Sequence, residues 1–529
     1  MASIPAAQPT TGPRRPVAER QRRRPTVLIV LVAAIAIAAG FGALAGSSPV
    51  LGVAAAGALL LAVSMAIRPE VAAFVVVGII YSNAAVIAVQ FHGVPSFAAI
   101  AVPGLLIVPV AFELIVRRRP VVITSAFPLM VVFLLVQIIG TILADDVGSA
   151  FSELITFVVE GIGLYFLLVN TIRSAAALRT VVWVLLAVGT ALGLLSMYQD
   201  ATKTYSSNYG GFAQMSNALI DSADSAGSAS QPRLAGPIGE KNRYAQIMLM
   251  LVPLGLFWAV STRSKWSKAA AIGAAGAASL GVALTFSRGA AVGFAIVLVV
   301  MIAMGYIRPI QVALVGVAIA LLFVAVPTYG NRLGSLVDLT SVVSGDSGGS
   351  SPDGAVLSRA TEGLTALLVF ADHPLIGVGP GRFPSYYRQY ADDVGIRVLN
   401  ADRQAHDLYL HIASETGVLG LIAFLAILGV TLRDLLRVRR RWLTTRPDIA
   451  AMATGLMLAV VTYMTTGLFL HLSYARYFWL MLALAGAAAQ IGLRLVDEEA
   501  PAGIPALAGA ARERVTTRLR RPGRPALEA

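Results

Sequence analysis

A histidine stands where a long polar segment gives way to an apolar run. Residues 405–417 read AHDLYLHIASETG, and the whole chain contains five histidines and no cysteine. An imidazole titrates near neutral pH and can take a proton from a hydroxyl group. With several arginines in the neighbouring polar segments, His406 at a membrane–water boundary indicates chemistry on an anionic, lipid-linked substrate.

Composition supports the membrane setting. Hydrophobic residues make up 57% of the 529 positions and charged residues only 13%, against about 25% charged residues in soluble domains. The mean hydropathy is +0.76. The net charge of +13 lies mostly in short segments between apolar runs, as in cytoplasmic loops, so it does not indicate nucleic acid. The lack of cysteine excludes disulfides and thiolate metal sites.

Fourteen apolar runs approach the roughly 20 residues that a membrane-crossing helix needs. The sequence therefore predicts an all-α, polytopic integral membrane protein with about 12–14 transmembrane helices. The runs are 26–45, 49–67, 71–91, 97–116, 127–144, 151–170, 177–198, 244–261, 267–286, 290–306, 309–327, 408–431, 449–470 and 474–494.

The distribution of basic residues predicts an orientation in the membrane. With the N-terminus in the cytoplasm, most of the 41 lysines and arginines fall on the cytoplasmic side, as the positive-inside rule requires. An even number of spans returns the C-terminal tail to that side. Ala43-Leu44-Ala45 resembles a signal cleavage site, but the preceding apolar run is long, and we expect an uncleaved first helix. We thus expect a multi-pass protein of the cytoplasmic membrane.

The predicted organisation has seven parts. They are a basic cytoplasmic tail (1–25), N-terminal transmembrane helices (26–198), an extracytoplasmic loop (199–243), central transmembrane helices (244–327), a large extracytoplasmic loop (328–407), C-terminal transmembrane helices (408–494) and a basic cytoplasmic tail (495–529). Long loops are usually functional or disordered. Within the large loop, the apolar spacing at 360, 364, 367, 368 and 371 predicts an amphipathic helix from Val356 to Ala371 lying at the membrane interface.

Three sequence blocks carry a family resemblance. The first is RLAG at 233–236 with NRYA at 242–245, the second is TFSRGA at 285–290, and the third runs from HPLIGVGPG at 373–381 through His406 to Glu415. In this order and on this side of the membrane, the chain resembles the O-antigen ligase/polymerase superfamily of bacterial membrane glycosyltransferases. The resemblance covers roughly 230–430.

The resemblance implies a C-type glycosyltransferase fold and a specific reaction. A glycan moves from a polyprenyl-pyrophosphate carrier to an acceptor hydroxyl at the outer face of the cytoplasmic membrane, with inversion and without a metal or another cofactor. The expected partners are the lipid-linked glycan donor, a lipid or glycan acceptor and membrane lipids, with no nucleic acid. His406 would be the general base, although a histidine that anchors a helix start is the structural alternative.

Arginines would stabilise the pyrophosphate leaving group, because the planar guanidinium binds phosphate oxygens in pairs and stays charged. Arg288, between two closely spaced spans, is the main candidate, and a snorkelling interface residue is its alternative. Arg233 comes second, with a solvated loop residue as the alternative. The predicted pyrophosphate-binding residues are Arg233, Lys241, Arg243, Arg288 and Arg359.

Two carboxylates are expected to support His406. The family usually has asparagine after this histidine, but here the residue is Asp407, whose charge would alter the protonation or orientation of the ring. Glu415 matches the family block and would support His406 or helix packing. Asp407, His411 and Glu415 share one helix face, a spacing that suits a metal or, as we favour, a polar helix contact.

Ligase and polymerase activities remain open within the family, and the His406 block favours a ligase. A lipid-linked glycan flippase is the alternative of another class. Transporters often have two similar halves, whereas both long loops and all three blocks lie in the second half of this chain. That asymmetry favours an enzyme.

Overall fold

The predicted membrane-crossing runs are helical wherever the structure describes them. The computed structural model describes residues 64–65, 68–216, 232–306, 308, 310, 354–396, 403–472 and 475–499. Predicted spans 26–45, 49–67 and 309–327, apart from single residues, lie outside these ranges, as do most of both predicted tails. Every other predicted span coincides with a helix, and the protein is an all-α, polytopic membrane protein.

Eight of the described helices are long and apolar enough to cross a membrane, and a bent pair would make a ninth. The helices are α1 (Val71–Tyr81), α2 (Ala84–His92), α3 (Ala99–Val116), α4 (Phe127–Leu143), α5 (Val147–Thr171), α6 (Ala175–Thr202), α7 (Lys241–Ser261), α8 (Lys265–Leu284), α9 (Arg288–Ala303), α10 (Gly354–Asp372), α11 (Phe383–Val394), α12 (Leu408–Trp442), α13 (Pro447–Phe469) and α14 (Ala475–Glu499). Of these, α1 and α2 form the bent pair, α4 and α9 are shorter apolar helices, and α10 and α11 lie in the predicted large loop.

The centre of the bundle consists of helices that are apolar on all sides. In α7 and α13, 78% and 83% of the apolar window is buried, compared with 33% in α3 and α8. A helix that is hydrophobic all round belongs in the interior of a protein or of a membrane. The end of α13 contacts the third sequence block, where Tyr409 donates from its hydroxyl to the carbonyl oxygen of Met464 at 3.0 Å.

The predicted span 71–91 is broken rather than continuous. α1 and α2 meet at an angle of 55°, and Asn83 at the break has a left-handed backbone with φ +60°. The Asn83 side chain donates from Nδ2 to the carbonyl oxygen of Pro237 at 2.7 Å and accepts from Arg476 Nη2 at 2.8 Å. Arg476 also lies 3.4 Å from the carboxylate of Glu160, in a π-helical turn of α5. The charge pair thus gives each of these half-buried groups a partner of opposite charge.

The predicted loops contain more structure than the sequence indicates. In the first, strand β1 (Gln214–Met215) pairs antiparallel with β2 (Leu234–Gly236), a small exception to an all-helical chain. α7 begins at Lys241 rather than 244, so the predicted loop boundary at 243 falls inside the helix. The predicted helix of the large loop is present as α10, but α11 was not predicted.

One row of apolar side chains on α10 is exposed, whereas several of its polar side chains are buried. The predicted apolar positions 360, 364, 367, 368 and 371 are all exposed. On the opposite face Thr361, Glu362 and Thr365 are fully buried. In water this arrangement would leave apolar surface exposed, whereas at a lipid interface it would be favourable. The interface placement of this helix remains a prediction.

Close helix packing predicts the effect of one small residue. A Cβ on Gly193 of α6 would lie 2.4 Å from the carbonyl oxygen of Ala277 in α8, and backbone cannot yield as a flexible side chain does. We expect Gly193→Val to destabilise the protein by about 1–3 kcal/mol, seen as a lower Tm in detergent. Gly273→Val on α8 meets nothing within 4 Å and is the matched control. Equal Tm values for the two variants would contradict the packing.

Candidate active site

The first and second sequence blocks are joined by a hydrogen bond between helix starts. Ser287 caps α9, accepting from Ala290 N, and its hydroxyl donates to Asn242 Oδ1 at 2.8 Å. Asn242 lies in the first turn of α7, whose capping residue Glu240 accepts from Asn242 N and Arg243 N. The starts of α7 and α9 therefore lie side by side, which brings the Arg288 end of α9 next to Arg243.

The first block is a buried support for α7. Leu234, Ala235 and Gly236 form β2 and are all buried. Gly236 has φ +55°, and a Cβ there would lie 2.6 Å from the ring of Tyr244. The Gly236–Tyr244 contact explains why these two positions belong to one block: the tight turn packs directly on the first turns of the helix.

The third block joins two distant segments through exchanged backbone hydrogen bonds. α12 is interrupted at Gly417, which has φ 64° and ψ −168°. Val378 N and Gly379 N donate to the carbonyl oxygens of Ser414 and Glu415, each at 3.0 Å, and Val418 N donates to Pro374 O at 2.8 Å. The Pro-Gly turn thus satisfies backbone groups that a helix break would leave without partners.

Glu415 completes this junction with its side chain. Its carboxylate accepts from Gly381 N at 2.8 Å and from Phe383 N at 3.3 Å, and its Oε2 lies 3.2 Å from His411 Nε2. The buried carboxylate therefore anchors the Gly-rich turn and the start of α11. This geometry matches a supporting role in packing; the catalytic part of its predicted role remains a prediction.

His406 lies just before α12, with its ring held from one side. Its backbone φ is +48°, an uncommon conformation for a residue with a side chain. Nδ1 lies 3.0 Å from the carbonyl oxygen of Gln404 and 2.8 Å from Glu362 Oε2. Both neighbours are acceptors, so the proton of the neutral ring belongs on Nδ1, and Nε2 is the basic nitrogen.

Glu362 of α10 is the carboxylate beside the imidazole. Its side chain is 0% exposed, and Oε1 accepts from Arg403 Nε at 2.7 Å. Burial alone would raise the pKa of Glu362, but the His406 ring and the Arg403 guanidinium outweigh burial and hold the pKa below its ordinary value. Glu362 is thus ionised at neutral pH. Nothing in the sequence around position 362 indicates this role.

Asp407 is occupied by the backbone rather than by the ring. Its Oδ1 accepts from Tyr409 N at 2.8 Å and Leu410 N at 2.9 Å, which caps α12. Burial raises the pKa of Asp407, and the two backbone hydrogen bonds oppose that rise. Asp407 was expected to alter the protonation or orientation of the His406 ring. In the structure, the carboxylate that contacts the ring is that of Glu362.

Two more histidines surround His406. The His471 ring lies 5.3 Å from that of His406 and 6.0 Å from that of His411, between centroids. Burial and the nearby Arg243 hold the pKa of His471 well below its ordinary value, so His471 is neutral. No sequence pattern singles out His471, since it lies 65 positions from His406 and outside the three blocks.

The predicted cations fall into two groups. Arg243 is 3% exposed and donates to the carbonyl oxygen of His471 and to Gln246 Oε1, so it lies beside the histidine cluster. Lys241, two residues earlier in the chain, is also buried. Arg288, Arg233 and Arg359 are half-buried. A Cβ on Gly289 would lie 3.0 Å from Phe469, two residues before His471. The structure therefore places Arg243 beside the histidine cluster and Arg288 at the start of the neighbouring helix α9.

Arg382 fastens the large loop to the N-terminal half. It bonds Asp145 through both carboxylate oxygens, at 2.7 and 3.0 Å, and lies 3.4 Å from Asp146. The hydrogen bond from Arg382 lowers the pKa of Asp145. The Arg382 guanidinium is thus engaged by protein carboxylates.

The histidines and carboxylates of this region are potential metal ligands by residue type. Among the residues that the structure describes, no group of three or more His, Asp or Glu side chains is arranged to hold a metal ion. His411 and Glu415, which share a helix face with Asp407, pair with each other instead.

The fold and the site define a polytopic, all-α membrane protein with a histidine–carboxylate centre at the ends of several helices. Residues 271–425 match the family model described as O-antigen ligase. This segment is thus similar to the O-antigen ligase/polymerase superfamily, which confirms the predicted resemblance and supports an enzyme of the glycosyltransferase type. The match includes Arg288, Glu362 and His406, but not the first block or His471. No curated protein matches the chain significantly.

The junction at Gly417 predicts a steep cost for a methyl group. A Cβ on Gly417 would lie 2.3 Å from the backbone of Leu375, and its φ and ψ suit glycine alone. We expect Gly417→Ala to lower stability by about 1–3 kcal/mol from backbone strain, with a further loss from the clash. Hydrogen exchange of residues 374–383 should accelerate. Gly429→Ala in the same helix, where nothing lies within 4 Å, should leave that exchange unchanged.

The Arg382–Asp145 contact predicts a pH-dependent attachment of the loop. The pKa of Asp145 is lower in the folded protein, so its stabilisation is present above the ordinary value of about 3.9 and is lost as pH falls through the folded value. At pH 7 we expect Arg382→Gln to speed hydrogen exchange of residues 379–396 several-fold.

Acidification should erase this difference, because the wild-type contact is then lost as well. Lys203→Gln, which removes an exposed contact to Asp200 at 3.3 Å on the other loop, is the control and should leave this segment unchanged. A difference between wild type and Arg382→Gln that persists below the folded pKa of Asp145 would contradict the assignment.

Proposed function

We propose that this protein transfers a glycan from a polyprenyl-pyrophosphate carrier to an acceptor hydroxyl at the outer face of the cytoplasmic membrane. The observation that carries the proposal is His406: it lies in the segment that matches the family, and its Nδ1 faces two acceptors. Nε2 is left as the base, which is the form that proton abstraction from a hydroxyl requires.

The reaction follows from this arrangement. Nε2 of His406 takes the proton of the acceptor hydroxyl as its oxygen attacks the anomeric carbon. The bond from that carbon to the phosphate oxygen breaks on the opposite face, and the pyrophosphate leaves with the electron pair. Attack from the opposite face inverts the anomeric configuration. The imidazolium then returns its proton to solvent.

Fixed positive charge would stabilise the departing pyrophosphate. Arg288 and Arg243 lie at the starts of α9 and α7, where the helix dipoles also favour an anion. Preorganised donors in a water-poor site can contribute several kcal/mol to the transition state. Lys241, Arg233 and Arg359 would add to the positive field. Such a cluster requires no metal, which the assay below tests directly with a chelator.

The acceptor separates the two activities of the family. A ligase passes the glycan to a different lipid or polymer, and a polymerase passes it to another carrier-linked repeat. We favour a ligase on the match of the His406 block, and the product of the reaction decides between them.

Transfer by purified protein in nanodiscs tests the proposal. With a polyprenyl-pyrophosphate glycan and a panel of acceptors, we expect EDTA-resistant transfer that falls by at least about 100-fold in His406→Ala, as for loss of a general base. Arg288→Ala should show a comparable loss, since removal of one charge-stabilising donor costs about 10²–10³.

His92→Ala is the matched control, because His92 contacts Gly210 O at 2.9 Å on the other loop and should keep wild-type activity. Wild-type protein that translocates the lipid-linked glycan but transfers it to no acceptor would overturn the enzyme and favour a flippase. Transfer that EDTA abolishes would overturn the metal-free mechanism.

A further inference from the structure

We propose that Glu362 is a positioning residue of the reaction: it holds His406 with Nε2 as the base and stabilises the imidazolium formed when the acceptor proton is taken. The inference rests on the proposed function, since it assigns a role to the group that acts on the base. Glu362 belongs to none of the three sequence blocks and comes from α10, a helix of the large loop.

The contacts at Nδ1 of His406 support this role. Glu362 Oε2 lies 2.8 Å from His406 Nδ1, and Gln404 O lies 3.0 Å from the same nitrogen. Gln404 O is the hydrogen-bond partner of Nδ1, and the negative charge of Glu362 beside it further favours a proton there, which leaves the lone pair of the neutral ring on Nε2. The same relation between a carboxylate and a histidine orients the base in serine proteases.

The burial of the Glu362 carboxylate also supports this role. Glu362 is 0% exposed, and a buried charge is expensive unless it is paired. Arg403 Nε donates to Oε1 at 2.7 Å, so one oxygen is held by a permanent cation. The other oxygen faces the ring. A carboxylate fixed in this way cannot rotate towards solvent, and its charge is directed at Nδ1.

No other carboxylate near His406 in the described part of the chain can take this role. The titratable and charged groups around His406 are Glu362, Arg403, Asp407, His411, Glu415, His471 and Arg243. Asp407 caps α12, and Glu415 binds Gly381 N, Phe383 N and His411. His471 is neutral and Arg243 is cationic. Glu362 is therefore the negative charge that offsets the imidazolium.

The role has a definite place in the reaction. As the acceptor O–H bond breaks, its proton moves to Nε2, and the ring becomes positively charged while Nδ1–H keeps its acceptors. Glu362 remains ionised throughout and accepts no proton. Its negative charge is constant, so its interaction with the ring strengthens only when the ring charge develops, which is the condition for transition-state stabilisation.

Substitution of Glu362 tests the proposal in the same nanodisc assay. Glu362→Gln keeps the size and an acceptor but removes the charge, and we expect kcat to fall roughly 10²–10⁴-fold, the upper figure being that of the protease triad aspartate. KM should change little, because Glu362 does not touch substrate. Glu362→Asp should restore part of the activity.

The pH profile separates a positioning role from a structural one. Removal of the negative charge makes protonation of His406 less favourable, so the acidic limb of the kcat profile should move to lower pH in Glu362→Gln. Nitrogen NMR of histidine-labelled protein, assigned with His406→Gln, should show a smaller share of His406 with its proton on Nδ1 in Glu362→Ala, where Gln404 O is the acceptor that remains.

Thr365→Val is the matched control, since Thr365 is also fully buried on the same face of α10; it should keep both kcat and the pH profile. If His406→Ala abolishes transfer but Glu362→Gln keeps kcat within about threefold and an unshifted profile, the role of Glu362 is overturned while the proposed function stands. Equal losses in Thr365→Val and Glu362→Gln, with unshifted profiles, would show that Glu362 is structural. No transfer by wild type would overturn both.

Discussion

The structure of the large loop depends on the interruption of α12 at Gly417. A helix that continued through this point would keep its own hydrogen bonds and offer the loop nothing to bind. The break instead exposes donors and acceptors, and the turn from Pro374 to Gly379 satisfies them. Neither Gly377 nor Gly417 can carry a Cβ, because backbone lies 2.3 Å from each position. Two segments 40 residues apart are thereby held at van der Waals contact.

From this junction the positions of the reactive groups follow. The turn leads into α11 and is anchored by Glu415, so the loop cannot slide along α12. α10, immediately before the turn, must then lie over the start of α12, and its buried face brings Glu362 to His406. α13 ends beside the same point and supplies His471, whose carbonyl oxygen binds Arg243. One junction thus determines the relative positions of four segments.

The sequence predicted the helices well because each has a local cause. An apolar run of sufficient length must be helical in a membrane, and all eleven predicted spans within the described residues are helices. The amphipathic spacing also predicted α10 within two residues of its bounds. The break in α1–α2 was not predicted, because it depends on the distant partners Pro237 and Arg476 of Asn83. Glu362 and His471 were missed for the same reason: their roles come from contacts across the fold. Asp407 was expected to act on the His406 ring because it is the next residue, but its carboxylate caps α12 instead.

The exposed apolar side chains of α10 bear on which surroundings stabilise the large loop. In a soluble domain, the hydrophobic effect drives apolar side chains into the interior. In α10, by contrast, Leu364, Leu367 and Leu368 are exposed and Glu362 is buried. The buried face also holds the apolar residues Ala366 and Val369, so packing within the loop and contact with lipid would act together on the rotation of α10 about its own axis. At the predicted membrane interface, the exposed leucines would favour the same rotation that directs Glu362 towards His406. A bilayer in that position would help to hold the carboxylate against the imidazole.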